Sequence, residues 1–303
     1  MGWGNALSLV FIILALALLI VYWFVPLSTT EFVSVGSSDN VGIGNLSAEA
    51  LQFYPNMRFP KQAISYKIHD CPLQKRDDMV RAFVSIEEKT TLNFYPVQEN
   101  EEISVNCENT QRIEGGLFIA GEGGPTNITK SGGFNVIFGG KILLLRESQC
   151  PNPNVGIHEL LHVLGFDHVG EEDNIMHPVS KCGQQISQLT IEVIDELYAI
   201  PSYPDLNFEN VSAVMHGKYL DANFSVRNQG LGNAPVTKVN IYADSKIVKE
   251  ISVDFLDIGH GRIISLTNVW VSKLDVDAIS FEIVSGFNEL DKENNRVELA
   301  IKD

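Results

Sequence analysis

The chain has 303 residues, 45% of them hydrophobic, which is enough to fill the cores of two domains of ordinary size. Its 38 acidic and 22 basic side chains give a formal net charge of −16, and this argues against nucleic acid, whose binding needs clustered Lys and Arg to displace counterions. Acidity of this kind is read as a solvated surface.

Residues 6–25 form a run of 20 without a charge. As a helix it is long enough to cross a bilayer, and Tyr22 and Trp23 sit near its end, where interfacial aromatics are found. No small-x-small site follows before Val25, so residues 1–26 are expected to remain as a signal anchor with the rest of the chain outside the cytoplasm. Cleavage would give a secreted protein instead. Residues 27–60, rich in Ser, Gly, Asn and Thr as far as about Glu49, read as a flexible stalk.

The stretch 63–68 alternates as a strand does. From 74 to about 90, Met79, Val80, Phe83 and Val84 are spaced for an amphipathic helix. Short β-like runs at 92–96, 103–106, 116–120, 134–138 and 141–145, separated by Gly-rich turns, imply a mixed sheet. Next comes His158-Glu159-Leu160-Leu161-His162-Val163-Leu164-Gly165-Phe166-Asp167-His168. Residues four apart share one helix face, so His158 and His162 can present two ring nitrogens to one ion. Gly165 tolerates positive φ and lets the chain turn back, which brings His168 round as a third ligand. Three protein ligands leave a position for water. That is the catalytic arrangement of Zn²⁺, in which the pKa of the water falls to about 7, and Glu159 is placed to take its proton. His-Glu-x-x-His alone arises by chance in roughly one chain in a hundred of this length; Gly165 and His168 at fixed offsets lower the coincidence by a further factor of several hundred. Leu160, Leu161, Val163 and Leu164 are core positions.

With Met176 following in Asn174-Ile175-Met176-His177-Pro178, the segment resembles the metzincin zinc endopeptidases, whose signature is His-Glu-x-x-His-x-x-Gly-x-x-His with a methionine turn beneath the metal. The short spacing to Met176 and the Pro two residues beyond it look most like the matrixin branch. Val169 stands where matrixins commonly have Ser. Gly165-Phe166 also occurs in astacins, but Pro178 stands where astacins carry Tyr. The resemblance implies an α+β catalytic domain over residues 61–201, built from a mixed sheet, a zinc helix and the methionine turn. It also implies one catalytic Zn²⁺ on His158, His162 and His168, Glu159 as general base, and a protein or peptide substrate. In that family an extended substrate pairs with an edge strand before the zinc helix. The Gly-rich approach to Phe134 is the nearest candidate here, a plain surface loop being the other reading. His177 reads as a surface histidine. No cysteine precedes Cys71, so latency through a pro-segment thiol is not expected, and calcium follows from no residue pattern.

The four cysteines allow three pairings. None has Cys-x-x-Cys spacing, which favours disulfides over a second metal site. Cys71 with Cys107 and Cys150 with Cys182 are preferred, the second pair tying the start of the zinc helix to the chain past the methionine turn. Asn45, Asn127, Asn210 and Asn223 each begin an Asn-x-Ser/Thr sequon.

A helix over about 189–200, with Leu189, Val193, Ile194 and Leu197 on one face, ends before Pro201-Ser202-Tyr203-Pro204. Beyond it the hydrophobic period becomes two, and about seven strands follow at 211–216, 220–226, 236–242, 247–253, 263–271, 279–284 and 297–301. They make residues 202–303 an all-β immunoglobulin-like sandwich. Asn228-Gln229-Gly230 and the run Asn288-Glu289-Leu290-Asp291-Lys292-Glu293-Asn294-Asn295 are similar to adhesion-related (CARDB-like) modules of microbial surface proteins, and the module's partner is unspecified. The reading is a membrane-anchored zinc metalloendopeptidase. Its competitor is a surface binding protein that uses the metzincin domain as a scaffold, against which an intact Glu159 speaks.

Overall fold

The computed structural model describes residues 3–24, 29–34, 51–115, 117–147 and 150–302. The chain opens with α1 (Trp3–Phe24) and β1 (Thr29–Ser34). Then come β2 (Met57–Arg58), β3 (Ala63–Ile68), α2 (Leu73–Glu87), β4 (Asn93–Pro96), β5 (Ile103–Cys107), β6 (Arg112–Glu114), β7 (Leu117–Ile119), β8 (Gly121–Ser131), β9 (Phe134–Leu144), α3 (Asn154–Val163) and α4 (Gln188–Ala199). The remaining strands are β10 (Leu206–His216), β11 (Tyr219–Asn228), β12 (Thr237–Ala243), β13 (Lys246–Val253), β14 (Gly261–Trp270), β15 (Ala278–Val284) and β16 (Arg296–Ile301). Two compact units result, one of residues 40–203 with 230–232, the other of 1–39, 204–229 and 233–303.

In the first unit the sheet order is β2-β9-β5-β3-β4, with parallel neighbours, and β8 runs antiparallel to β9. The alternation of the strands buries Ile64, Ile103, Val105, Ile142 and Leu144. Against them lie Met79, Phe83 and Ile86 of α2, Leu160 and Leu161 of α3, and Val193, Ile194 and Leu197 of α4. Val80, Val84 and Leu189, expected on those apolar faces, are exposed. Gly156 sits where a side chain would meet the Cβ of Ala82 at 3.0 Å, so its absence lets α3 and α2 approach closely.

Two buried cations tie the unit together. Arg58 donates to the carbonyls of Leu197 and Ile200 (2.9 Å) at the end of α4, and its guanidinium lies 4.4 Å from the ring centre of Tyr198. It thereby satisfies carbonyls that the helix itself leaves orphaned. Lys75 Nζ donates to the carbonyls of Glu108 (2.6 Å), Leu145 (3.0 Å) and Leu144 (3.3 Å) and to Asn109 Oδ1 (3.0 Å). Cys71–Cys107 and Cys150–Cys182 are disulfides, in the pairing preferred from the sequence.

Two expectations are corrected in this unit. The runs at 134–138 and 141–145 are one strand, β9. Its Gly140 is no turn, because a β-carbon there would stand 2.3 Å from Val163 Cγ1 on α3. The Gly-rich stretch before Phe134 is likewise not a loop but strand β8, paired along β9.

The second unit is an eight-stranded, sandwich-like sheet in the order β13-β12-β15-β16-β1-β10-β11-β14. Its inward alternation buries Phe208, Phe224, Val239, Ile241, Phe281 and Leu299. All seven strands expected between 211 and 301 form, the first of them starting earlier, at Leu206. The eighth is β1, antiparallel to β10 (Phe32 opposite Ala213) and to β16 (Phe32 opposite Ile301), with Phe32 in the core. The expected stalk over 27–60 is therefore corrected at both ends: residues 29–34 are a paired strand, and Met57 and Phe59 are core residues of the other unit. The part at 35–50, including Asn45, lies outside the described residues.

Side chains of α1 are described over 7–20 and are exposed. Among the described residues no helix is long and apolar enough to cross a membrane. The expected anchor over 1–26 is corrected accordingly, and with it the membrane-attached location.

Candidate metal centre

Helix α3 carries His158, Glu159 and His162, all three buried. The helix stops where Gly165 takes φ +98°, and a side chain there would meet Met57 Cβ at 2.6 Å, so both conformation and packing demand glycine. The chain then returns with exposed His168, whose amide donates to Asp167 Oδ1 at 2.7 Å.

Three ring nitrogens converge. His158 Nε2 lies 3.0 Å from His162 Nε2 and 3.2 Å from His168 Nε2, and the last two are 3.1 Å apart. A tetrahedral ion with metal–nitrogen bonds of 2.0–2.1 Å sets its ligands about 3.3 Å apart, so the triangle is of the right size for zinc. The other ring nitrogens are engaged: His158 Nδ1 donates to the Ile175 carbonyl at 2.6 Å and His162 Nδ1 to the Phe166 carbonyl at 2.8 Å. With those protons on Nδ1, the two Nε2 atoms turn bare lone pairs toward each other, an arrangement that a cation resolves. Burial pushes His158 down to about 4 and lowers His162 as well, so both rings are held neutral, the form that binds metal. Among the described residues these three form the one group of His, Cys, Asp or Glu fit to hold an ion.

Met176 is buried in a turn in which the His177 amide donates to the Asn174 carbonyl at 3.0 Å and the Met176 amide to Asn174 Oδ1 at 2.9 Å. This turn presents the Ile175 carbonyl to His158. His177 stays out of the triangle and shares its Nδ1 with the Val179 backbone.

Beside α3 runs β8, close enough that a β-carbon on Gly121 would lie 2.8 Å from Glu159 Cγ, and one on Gly123 would lie 2.3 Å from the Glu159 carbonyl oxygen. With no cation at the histidines, burial, with a smaller contribution from the Glu122 charge, raises the Glu159 carboxyl to about 8; a divalent ion held beside it would draw it back toward the carboxylate that a general base needs. The three histidines and Glu159 open onto a cleft of about 630 Å³ between Phe118, Ile119 and Ala120 on one side and Pro178, Val179 and Ser180 on the other. Sequence reasoning did not single out Gly121, Gly123, the carbonyls of Phe166 and Ile175, or Phe53, whose ring stacks on His162. The run Gly121-Glu122-Gly123-Gly124 was the available signal, since glycines at alternate strand positions mark one face held against a neighbouring backbone.

Residues 203–298 match the CARDB family model and form a CARDB domain. Two solved structures share features of the chain. The CARDB domain of a Pyrococcus furiosus protein, in complex with di-metal ions, is 19% identical with a TM-score of 0.27, over 33% of this chain and 88% of that one. High choriolytic enzyme 1, a hatching-enzyme zinc protease of the medaka fish Oryzias latipes, is 17% identical with a TM-score of 0.32, over 46% of this chain and 90% of that one. At these identities and scores neither likeness assigns a ligand or an activity to this chain. No match is found among curated proteins.

Proposed function

We propose that the chain is a zinc metalloendopeptidase of the metzincin type, matrixin-like in its methionine turn, with the chemistry in the unit of residues 40–203. The observation that carries this reading is the convergence of three Nε2 atoms at 3.0–3.2 Å, two of them left with a bare lone pair because backbone carbonyls hold the ring proton on Nδ1. His158, His162 and His168 would hold the ion. Once bound there, Zn²⁺ would polarise a scissile carbonyl and lower the pKa of water at the site to about 7.

Glu159 does the proton work. Its neighbour Leu160 is a core residue, its backbone is pressed by β8, and its carboxyl faces the cleft that the histidines share. The carboxylate takes a proton from the attacking water and delivers it to the departing amine. The Ile175 and Phe166 carbonyls hold two imidazoles in one tautomer and one orientation. The free side of β8 is an edge along which an extended peptide could pair.

The competing reading makes the CARDB domain the functional part and the histidines a structural site. A structural zinc needs a fourth protein ligand, and among the described residues the group stops at three. The deciding experiment compares Glu159→Ala with His162→Ala by metal analysis beside cleavage of a short unstructured peptide. Glu159→Ala should keep about one zinc per chain and lose activity by the roughly 10²- to 10⁴-fold typical of a general base, whereas His162→Ala should lose both. Full activity in Glu159→Ala would falsify the mechanism, and a zinc-loaded unmutated chain that cleaves nothing would favour the binding protein.

A further inference from the structure

Residues 51–57 lie against the turn that leads from the second histidine to the third. The Phe53 amide donates to the Gly165 carbonyl at 3.0 Å, and the Asp167 amide donates to the Leu51 carbonyl at 2.8 Å. Gln52 stands opposite Phe166 in an antiparallel bridge, and its side-chain amide is clasped by both backbone groups of Met57 at 2.9 Å. This two-sided bracket holds the residue between its bonds, Phe166, whose carbonyl receives the Nδ1 proton of His162. The Phe53 ring meets the same imidazole directly, with ring centroids 5.6 Å apart and planes 24° from parallel. His162 is thus fixed from its ring face and from its Nδ1 by the same short segment, far from it in sequence.

We infer that residues 51–53 are a positioning element of the metal centre, with Phe53 the side chain that orients His162 toward the ion. This rests on the zinc reading above. Phe53 touches no reacting atom; it acts through the ligand. Fixing a ligand ring before the ion arrives lowers the ordering cost of binding, and loss of such support typically weakens metal affinity by about 10- to 100-fold.

The test measures the zinc dissociation constant of the full chain by competition with a chromogenic chelator, together with the melting temperature of the metal-stripped chain. The variants are Phe53→Ala, Phe53→Leu, Phe53→Tyr and, as neighbour control, Tyr54→Ala. Phe53→Ala and Phe53→Leu should each weaken zinc by about 10- to 100-fold with metal-free melting unchanged, while Phe53→Tyr and Tyr54→Ala stay within about twofold of the unmutated chain. Three results overturn the inference: zinc affinity within about twofold in both Phe53→Ala and Phe53→Leu; full affinity in Phe53→Leu alone, which would make the ring mere apolar cover; or a loss that tracks a fall in metal-free melting, which would make the role structural. An unmutated chain that binds no zinc would sink the metal reading itself and this inference with it.

Discussion

Gly123 and Glu159 touch through their backbones: a β-carbon on Gly123 would stand 2.3 Å from the Glu159 carbonyl oxygen and 2.9 Å from its Cα. Neither atom can swing aside as a side chain would, so any side chain at 123 must push β8 away from α3. Gly123→Ala is expected to leave zinc content intact and to lower kcat/KM on a short peptide by about 10²-fold, the effect of misplacing catalytic groups by about an ångström. An unchanged kcat/KM would show that β8 plays no part in placing Glu159.

Replacing Arg58 tests the brace at the end of α4. Arg58→Met keeps the apolar stem but leaves the carbonyls of Leu197, Ile200 and Phe59 without this donor, while the Pro60 carbonyl keeps that of the Ser202 hydroxyl. At about 1–3 kcal/mol for each buried group left unsatisfied, with partial relaxation, a loss of about 3 kcal/mol or more is expected. Urea unfolding of the unit that contains α4 measures it, and a loss below about 1 kcal/mol would mean water replaces the guanidinium without cost.

The two disulfides close loops of similar length, with sequence separations of 36 and 32, so removing either by paired Cys→Ser substitution should cost a similar stability of about 3–4 kcal/mol. Their effects on the metal should differ. Cys150–Cys182 joins the chain before α3 to the chain after the Met176 turn, whose Ile175 carbonyl holds His158; Cys71–Cys107 joins neither. Chelator competition should show weaker zinc only when Cys150 and Cys182 are replaced, and equal affinity in both double variants would separate the disulfide from the site.

Among the described side chains of strand β1 one is buried, Phe32, between β10 and β16, and Lys302 pairs with Glu31 at 2.7 Å beside it. Phe32→Asp in the full chain should destabilise the CARDB-containing unit by at least about 3 kcal/mol, combining lost aromatic burial with a buried charge. Unfolding of the other unit and peptide cleavage should not change. A CARDB unit indifferent to Phe32→Asp would mean that β1 contributes nothing to its stability.

What the sequence discloses follows the range of the interaction. His158, Glu159, His162 and Gly165 are set by the geometry of one helix and its end, and the period-two strands from β10 to β16 announce themselves residue by residue. The glycines of β8 and β9 mislead because they read as turns, whereas Gly121, Gly123 and Gly140 are glycine because α3 lies against them. The stacking of Phe53 on His162 and the insertion of β1 into the second sheet join residues more than a hundred positions apart, and no local period encodes such pairs. A composition rich in Ser, Gly and Thr made β1 look like a tether, while its strand character rests on six residues whose partners are β10 and β16.

The position of β1 separates the order of the fold from the order of the chain. Covalently, α1 is joined to the CARDB domain only through the whole unit of residues 40–203; in space, β1 already lies inside the CARDB sheet, held from both flanks. A single backbone nick between Ser34 and Leu51 therefore need not release the amino-terminal fragment, which would remain clasped by hydrogen bonds much as a two-chain product of limited proteolysis does. Denaturing electrophoresis would then show two pieces where gel filtration shows one.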